Sequence, residues 1–446
     1  MNLQNLKNLF IDSGCQKLYV KKLSPNDNSK NQVYLGGSFE ILNIFPLSEI
    51  KTEEAGDWNR ERFKASINFS WVGNDGNIYP APNSQLILYP KYPEVRFSGF
   101  LTACINPPSE LMTQRLAGRL LFLSVTNKGK ILGYVTSPTS ELANEFNSLQ
   151  VNEEIGVFKV IDLPRVVNNR ERLLDELYRI HQLDWITSKR LDKDGNILPC
   201  VSSNCGGYTL EAELGITPNG YSEPDFLGWE IKQYGVANFE RINSSVITLM
   251  TPEPTDGIYK THGAEEFLHV YGYPDKTGRE DRINFGGIHK VGLRHFSTNL
   301  EMQLIGFDIE SGKIRNSNGR IALVDTCENE AAAWSFSSML LHWNRKHNQA
   351  CYVPSLSQIT NERKYKYGNK IMLGIGTDFQ FFLQQMANGN IYYDPGIKME
   401  NVSTCPKIKK RSQFRIRSQY LGQLYKNNEI ITLPIDKNRF KGIEPV

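Results

Sequence analysis

The 446-residue sequence has few cysteines, no long apolar run and almost no excess of either charge. Seven cysteines are an odd and sparse set for this length, so we do not expect a disulfide framework, and Cys200 and Cys205 have no second pair nearby to complete a zinc site. No apolar run approaches the roughly 20 residues that cross a bilayer, and residues 1–10 lack the continuous apolar core of a signal peptide. We therefore expect a soluble, cytoplasmic protein with no membrane partner.

The composition is that of a globular protein. Hydrophobic residues make up 40% of the chain and charged residues 22%, which excludes a disordered or collagen-like chain. The length exceeds the roughly 250–300 residues that one hydrophobic core reaches, which suggests two or three domains. Because 51 Lys and Arg stand against 48 Asp and Glu, any nucleic-acid footprint must appear as local clustering of charge.

The chain changes character near residue 165, so we predict domains at residues 1–165 and 166–446. The first part predicts a small β-barrel or sandwich with a helix near 140–147. Its predicted strands are 17–21, 65–71, 85–89 and 130–135. The second part reads as α+β or α/β. Its predicted helices are 170–183, 331–345 and 377–389, and its predicted strands are 320–324 and 370–375.

One stretch concentrates chemically active residues, since Pro224-Asp225 is followed after four residues by Glu230-Ile231-Lys232. Residues two apart on a strand face the same side, so Glu230 and Lys232 project together while Ile231 points into the core. Asp225 can then approach Glu230, and Mg²⁺ is commonly held by one or two carboxylates. Such a metal polarises a phosphodiester and acidifies a bound water, while Lys232 offsets charge on the phosphorus.

Glu211 lies fourteen residues before Asp225 on a predicted helix, where it could supply another metal ligand or hold a lysine or a water. A Glu-x-Lys triplet alone is weak evidence, because Glu49-Ile50-Lys51 and Glu362-Arg363-Lys364 share it with no Asp in the twenty residues before either. On spacing alone, a turn leading to a strand with a surface ion pair explains residues 225–232 equally well.

The Pro-Asp…Glu-x-Lys arrangement resembles the PD-(D/E)xK nucleases, and the wider segment is similar to the MvaI/BcnI family of restriction endonucleases. In that family a Thr-(Leu/Phe)-Glu helix precedes Pro-Asp-Phe and a Glu-Ile-Lys strand, as here at 209–211, 224–226 and 230–232. The similarity continues through 245–255, 334–336 and Phe414-Arg415-Ile416.

The resemblance implies a two-domain α+β protein whose second domain is a MutH/MvaI-like mixed sheet flanked by helices. By the same resemblance, the catalytic residues are Asp225, Glu230, Lys232 and Glu211. The implied ligands of Mg²⁺ are Asp225, Glu230, Ile231 and Glu211.

Candidate DNA-reading residues lie near the end of the chain, where residues 401–446 carry ten Lys and Arg against three Asp and Glu. We interpret most of these lysines as a solvated surface. Arg415 falls on the family's Phe-Arg-Ile position, whose arginine reads a guanine, and Arg411 and Arg417 are expected to contact phosphates. The family's second base-reading region differs here, and Lys398, the nearest basic residue, is the candidate for it. We interpret the histidines of the second domain as structural or solvent-facing.

The N-terminal segments 19–27, 31–35 and 44–46 resemble the effector domain of EcoRII-type restriction enzymes, which is a B3-like β-pseudobarrel that grips DNA with two arms. The resemblance implies that Lys21, Lys22 and Asn26 belong to one arm, a loop at 21–27, and that Arg96 reads bases from the other. The alternative for Lys21 and Lys22 is an exposed hairpin edge, where lysines discourage strand pairing.

Taken together, the resemblances imply a Mg²⁺-dependent type II restriction endonuclease stimulated by a second DNA site. We expect a monomer that cuts a CCWGG or CCSGG site one strand at a time with a metal-activated water and leaves a 5′-phosphate. The expected partners are double-stranded DNA at target and effector sites, and a cognate DNA methyltransferase as a genetic partner. A strand-nicking repair endonuclease and a DNA-binding regulator with an inactive nuclease domain remain alternatives.

Overall fold

The computed structural model describes residues 1–25, 31–37, 39–48, 50–53, 62–89, 94–163, 169–202, 204–217 and 224–434. The chain divides into two compact units with a mixed α+β fold. The first unit comprises Met1–Val166, Ile305–Arg320 and Ser335–Leu341. The second comprises Val167–Leu304, Ile321–Trp334 and His342–Val446.

The helices in the described part of the chain are mostly short. They are α1 (Leu3–Asp12), α2 (Ser109–Thr113), α3 (Glu141–Ser148), α4 (Asn169–Gln182), α5 (Cys205–Glu213), α6 (Ile258–Thr261), α7 (Gly263–Tyr271), α8 (Phe336–His347) and α9 (Phe379–Ala387), with 3₁₀ turns at Phe39–Asn43 and Ser418–Leu424. None of these helices is long and apolar enough to cross a membrane.

The main segment of the first unit, Met1–Val166, contains two β-sheets in its described residues, and they follow the many short apolar segments of its sequence. Its strands are β1 (Lys17–Lys22), β2 (Val33–Gly36), β3 (Ile50–Glu53), β4 (Arg62–Ser66), β5 (Phe69–Val72), β6 (Ile78–Pro80), β7 (Gln85–Tyr89), β8 (Glu94–Ser98), β9 (Leu120–Val125), β10 (Ile131–Thr136), β11 (Glu154–Ile155) and β12 (Phe158–Asp162). The seven-stranded sheet has the order β11-β12-β1-β9-β10-β5-β6, and the five-stranded sheet has the order β2-β8-β7-β4-β3. Neither sheet closes into a barrel within the described residues.

The core of the first unit forms where the amphipathic helices α1 and α3 cover the larger sheet. Leu6 and Phe10 of α1 and Leu142 of α3 are buried together with Leu18 and Phe122 of the sheet. Ser140 begins α3, because its hydroxyl accepts a hydrogen bond from the Ala143 amide. The prediction of a helix near 140–147 is confirmed.

Two predictions for the first unit, one of a strand and one of a loop, need correction. The predicted strand 65–71 is two strands in different sheets, because the chain leaves β4 at Ser66 and enters β5 at Phe69. The predicted DNA-contacting loop 21–27 does not begin at Lys21, because Lys21 and Lys22 end β1, where they pair with β9. Asn26 lies outside the described residues.

The remaining strands form several smaller sheets and one six-stranded sheet. They are β13 (Ile186–Thr187), β14 (Lys189–Leu191), β15 (Ile197–Pro199), β16 (Glu230–Gly235), β17 (Val246–Met250), β18 (Tyr273–Pro274), β19 (Arg282–Gly286), β20 (Glu301–Ile305), β21 (Phe307–Asp308), β22 (Lys313–Ile314), β23 (Arg320–Val324), β24 (Glu330–Ser335), β25 (Gln349–Ile359), β26 (Arg363–Tyr367), β27 (Lys370–Ile375), β28 (Ile391–Tyr393), β29 (Gly396–Glu400), β30 (Lys407–Lys409), β31 (Phe414–Arg417) and β32 (Asn427–Thr432).

The six-stranded sheet organises the second unit. Its main path is β13-β26-β25-β27-β32, and β16 pairs with β25 in parallel. Helices α4 and α5 pack on this sheet through Leu174, Leu177 and Leu210, which share one core with Ile231 of β16 and Cys351 of β25. Burial of each such aliphatic side chain contributes about 1.5–3 kcal/mol, so this core fixes the position of β16.

The helix predicted at 331–345 begins later than expected. Residues 330–335 form β24, and α8 starts only at Phe336. Alanine favours helices, but Ala331, Ala332 and Ala333 are buried in a sheet with β20 and β23, and this tertiary context overrides the propensity. The predicted helices 170–183 and 377–389 are confirmed within a few residues as α4 and α9.

Cys200 and Cys205 form a disulfide bond that was not expected from the sequence. Their Cα atoms are 5.8 Å apart, within the usual range for this bond. Cys205 is the first residue of α5, so the disulfide ties the start of that helix to the end of the hairpin β14-β15.

Candidate functional site

The strand β16 places Glu230, Ile231 and Lys232 according to the period of a β-strand. The Ile231 side chain is buried in the core of the second unit, while Glu230 and Lys232 share the opposite face. In the parallel pairing with β25, Glu230 faces Ala350 and Lys232 faces Tyr352. Because Ile231 is buried, Glu230 and Lys232 on either side of it both project from the opposite face of the strand.

Glu230 is the most deeply buried carboxylate of the site, with 1% of the residue exposed. The Lys232 Nζ donates a hydrogen bond to Oε1 at 2.5 Å, whereas Oε2 is buried and has no hydrogen-bond partner among the described residues. Burial raises the pKa of Glu230, but Lys232 and the other nearby positive charges outweigh it, so that the net pKa is lowered. Glu230 is thus an ionised carboxylate with one oxygen unused.

Asp225 is brought beside β16 by a tight turn. Phe226 and Trp229 exchange backbone hydrogen bonds of 2.9 and 2.8 Å, and Gly228 between them has a φ of 87°, a conformation that favours glycine. The Asp225 Oδ2 accepts a hydrogen bond from the Ile231 amide at 2.9 Å. Burial, followed by the charge of Glu230, raises the pKa of Asp225 to about 6.

Glu211 lies on α5 and faces the same charges from the helix. Burial, followed by the charges of Asp225 and Glu230, raises its pKa to about 6. Within the described residues, however, no group of three or more His, Cys, Asp or Glu side chains could hold a metal ion. The structure therefore brings Asp225, Glu230 and Lys232 together, but it does not complete a three-carboxylate metal site with Glu211.

The residues present do fit a divalent cation bound by two carboxylates. The free Oε2 of Glu230 needs an electropositive partner, and the raised pKa of Asp225 shows that the two carboxylates repel each other. Mg²⁺ is usually bound by one or two carboxylates and keeps several waters, so a third side-chain ligand is not required. Asp225, Glu230 and the main-chain carbonyl of Ile231 are the groups that could hold it.

Two further residues of the site were missed by sequence reasoning. Lys346, near the end of α8, lowers the pKa of Glu211, Asp225 and Glu230 alike through its charge. Lys346 lies four residues before Ala350 in the chain, and Ala350 faces Glu230 on the neighbouring strand. A single lysine more than a hundred residues from the motif gave no signal, because only the parallel pairing of β16 with β25 brings it there.

His347 is the second missed residue and lies deep in the second unit, with 1% exposed. Its ring stacks on Trp343 with 4.1 Å between ring centroids. Burial, followed by the charge of Lys232, lowers the pKa of His347 to about 3, so the ring is neutral. The prediction that the histidine is structural agrees with this burial, and no pattern in the sequence revealed its proximity to the charged site.

The candidate base reader Arg415 lies on β31, between β17 and β28. Its Nη1 pairs with the Asp394 Oδ2 at 2.5 Å, which fixes the direction of the guanidinium. Arg411 and Arg417 are exposed on either side of it along the chain. The weaker candidate, Lys398, lies on β29 and donates a hydrogen bond of 2.9 Å to Glu400.

The DNA-contacting candidates of the first unit lie on two different sheets. Lys21 of β1 is half-buried and lies 5.7 Å from the centre of the Tyr34 ring, and Lys22 beside it is exposed. Arg96 of β8 pairs with Glu94 at 2.9 Å and lies 5.4 Å from the centre of the Tyr89 ring.

A model of the MvaI/BcnI restriction endonuclease family matches residues 174–425. Among solved structures, the "Restriction endonuclease MvaI-cognate DNA substrate complex" is 21% identical, with a TM-score of 0.45, over 59% of this chain and 99% of that chain. The "Restriction endonuclease MvaI in the absence of DNA" is also 21% identical, with a TM-score of 0.33, over 60% of this chain and 99% of that chain. No curated protein sequence matches the chain.

Proposed function

The chain belongs to the MvaI/BcnI restriction endonuclease family, and on that premise we propose that it is a type II restriction endonuclease that cuts double-stranded DNA. The observation that carries the proposal is the juxtaposition of Asp225, Glu230 and Lys232 at the start of β16. A surface ion pair would not explain why Glu230 is 1% exposed with an unused carboxylate oxygen.

We assign the metal site to Asp225, Glu230 and the main-chain carbonyl of Ile231. Mg²⁺ held there would polarise the phosphodiester and lower the pKa of a water molecule. Lys232 lies next to the scissile phosphate in this assignment and offsets the negative charge that develops on its oxygens. Glu211, whose pKa is about 6, is ionised at neutral pH and can hold the attacking water and accept its proton.

The proposed reaction is hydrolysis of one phosphodiester bond at a time. The water oxygen forms a bond to phosphorus as Glu211 accepts its proton, and the bond from phosphorus to the 3′ oxygen breaks. The 3′ oxygen takes a proton from solvent, which leaves a 3′-hydroxyl and a 5′-phosphate. From family membership we propose a monomer, which with one set of Asp225, Glu230 and Lys232 would cut the two strands in succession. The recognised DNA sequence, of the CCWGG or CCSGG type, is proposed from family membership. In this proposal Arg415 reads a guanine, and the residues that contact DNA beside it are Arg411, Arg417 and Lys398.

We propose that residues 1–165 form a second DNA-binding domain of the B3-like effector type, ahead of a catalytic domain at 166–446. Lys21, Lys22, Asn26 and Arg96 are its proposed contacts. The arrangement of Arg96, directed by Glu94 and partly exposed, supports this role. Binding of one DNA site by this domain would raise the local concentration of a second site at the nuclease or release its activity. A cytoplasmic location and a cognate methyltransferase follow from the same proposal.

Plasmid cleavage tests the proposal directly. We expect purified protein with Mg²⁺ to give discrete fragments, and expect EDTA to stop cutting. Asp225→Ala should bind DNA but not cut it, since it removes one of the two proposed carboxylate ligands. Asp75→Ala is a matched control, because this aspartate of the first unit accepts its described hydrogen bonds only from the nearby Asn77 and Tyr79.

Each result separates the alternatives. Discrete fragments that persist in Asp225→Ala would contradict the assignment of the site. Nicked circles without linear products would favour the repair endonuclease, and binding without any cutting would favour an inactive regulator. Sequencing of the fragment ends then gives the recognised site and the cut position.

A further inference from the structure

The loop between β19 and β20 carries a concentration of exposed apolar side chains. Phe296 is 96% exposed, and Leu293 and Ile288 of the same loop are 61% and 52% exposed. Single exposed apolar residues are ordinary, but several on one short loop indicate a surface that meets a partner. We refer to residues 287–300 as the apolar loop.

The apolar loop is anchored at its first half by His289, which is fully buried. Its amide donates to the Tyr393 carbonyl at 2.9 Å, and the Tyr393 amide donates back at 3.0 Å. The ring nitrogens of His289 lie 3.1 Å from the Gly287 carbonyl and 2.9 Å from the Thr298 hydroxyl. This histidine therefore joins both halves of the loop to β28.

The tip that bears Phe296 is closed by its own backbone. The His295 amide donates to the Leu300 carbonyl at 2.8 Å, and the Asn299 amide donates to the His295 carbonyl at 2.8 Å. The Gly292 amide donates to the Met302 carbonyl at 2.9 Å. Phe296 is thus an exposed aromatic ring on a hydrogen-bonded turn, so little conformational entropy is lost when it inserts into a partner.

The charge around the apolar loop identifies the partner. Residues 282–300 contain Arg282, Lys290 and Arg294 but no Asp or Glu, and two of these charges are paired, Arg282 with Asp275 at 3.5 Å and Arg294 with Glu301 at 3.4 Å. The Lys276 Nζ also donates to the hydroxyl of Ser297, next to Phe296, at 2.9 Å. Positive charge around an apolar tip matches the phosphate backbone and stacked bases of duplex DNA.

The anchor of the apolar loop also borders the proposed DNA-reading strand. In the sheet β17-β31-β28, Tyr393 faces Phe414 and the neighbouring Tyr392 faces Arg415. His289 is bridged to Tyr393 from outside this sheet. The loop that carries Phe296 is therefore attached to the strand next to Arg415, within the same compact unit.

We propose that the apolar loop is a wedge that inserts Phe296 between adjacent base pairs when the protein binds duplex DNA. Lys276 and Lys290 contact the flanking phosphates. Insertion of an apolar side chain unstacks one base step and unwinds and kinks the duplex. The inference rests on the proposed function, because it assumes that the second unit binds duplex DNA.

The test measures DNA unwinding separately from cutting. Relaxed plasmid is incubated with the full-length protein and a topoisomerase that needs no Mg²⁺. EDTA is present, so the plasmid stays uncut. Insertion of Phe296 then appears as a change in the distribution of topoisomers. We expect the wild type to shift the distribution and Phe296→Ala to lose the shift and bind DNA about tenfold more weakly. Phe296→Trp should retain both properties.

Ile359→Ala is the matched control, because Ile359 is 69% exposed at the far end of β25 from Ala350, about 30 Å along the strand. It should bind and unwind as the wild type does. The inference is overturned if Phe296→Ala binds and unwinds like the wild type, or if Phe296→Ala changes only self-association in sedimentation. If the wild type neither binds nor cuts plasmid, the proposed function fails as well; if it cuts normally while Phe296→Ala is unaltered, the wedge alone fails.

Discussion

Arg96 in the first compact unit and Arg415 in the second are presented in the same way. Each lies on a strand and is paired with a carboxylate, Glu94 at 2.9 Å and Asp394 at 2.5 Å. The two side chains are also similarly accessible, with 32% and 28% exposed. A guanidinium whose direction is fixed by a neighbouring acid is prepared for bidentate contact with a base or a phosphate.

The two units differ in what accompanies the arginine. The second unit adds Asp225, Glu230 and Lys232, and the family match lies at residues 174–425, beyond the main segment of the first unit. On the proposed function, DNA reading by the first unit and DNA cutting by the second are separable. The main segment of the first unit would then contribute binding energy or regulation, and the residues proposed for cutting lie in the second unit.

The strongest test of this separation is Lys232→Ala. If this ammonium stabilises charge at the phosphate as proposed, its removal should lower the cutting rate by about 100- to 1,000-fold while DNA binding persists. Single-turnover cleavage and gel-shift measurements give the two quantities. Lys22→Ala, at the end of a strand in the first unit, should leave cutting of a single-site DNA unchanged; equal losses in both variants would contradict the division of labour.

Replacement of Arg415 and replacement of Arg96 by alanine should give different defects. Arg415→Ala should reduce cutting of every DNA by about 10- to 100-fold, the discrimination that one bidentate base contact supplies. Arg96→Ala should cut a single-site plasmid normally but lose the stimulation given by a second site. Rates on one-site and two-site plasmids check this, and loss of all cutting in Arg96→Ala would end the effector interpretation of the first unit.

The sequence predicts the elements of the fold best where local signals are strong. The strand 85–89 and the helix α9, with its cap at Asp378, were predicted closely because a short apolar run and a capping residue act locally. The segment 331–345 was not, since Ala331–Trp334 would suit a helix and becomes a strand only through burial in a sheet. Non-local pairing decided that case.

The candidate site shows the same limit. The alternation of Glu230, Ile231 and Lys232 predicts their two faces, because the period of a strand is a local property. The contribution of Lys346 to the site depends on the parallel pairing of β16 with β25 across more than a hundred residues. The unused oxygen of Glu230 could not be predicted either, since it depends on which groups surround it in three dimensions.

A smaller effect is expected from Lys346→Met, which sharpens the comparison within the second unit. Loss of this charge removes an influence that lowers the pKa of Glu211, Asp225 and Glu230, so the carboxylates should ionise at higher pH. Cutting should fall several-fold at about pH 6 and less at about pH 8, which shifts the acid limb of the pH–rate profile upward. Lys366→Met, which removes an ion pair with Asp184 in the same unit, should leave the profile unchanged.

The smallest expected effect is on thermal stability, and it should appear in the unfolding of the second unit and not in that of the first. The pKa of Asp225 is raised to about 6 in the folded protein and returns to its ordinary lower value in the unfolded chain. Between these two pKa values the folded protein binds more protons than the unfolded chain, so the free energy of unfolding falls as pH rises through that range. Asp225→Asn should therefore raise the melting temperature of the metal-free second unit by about 2–4 °C at about pH 8, and change it little at about pH 4. Asparagine can still accept the hydrogen bond of the Ile231 amide, so the turn is preserved. Calorimetry in EDTA at both pH values measures the shift. An equal gain in melting temperature at both pH values would mean that the aspartate strains the turn sterically. A gain in the transition of the first unit would mean that the two units do not unfold independently.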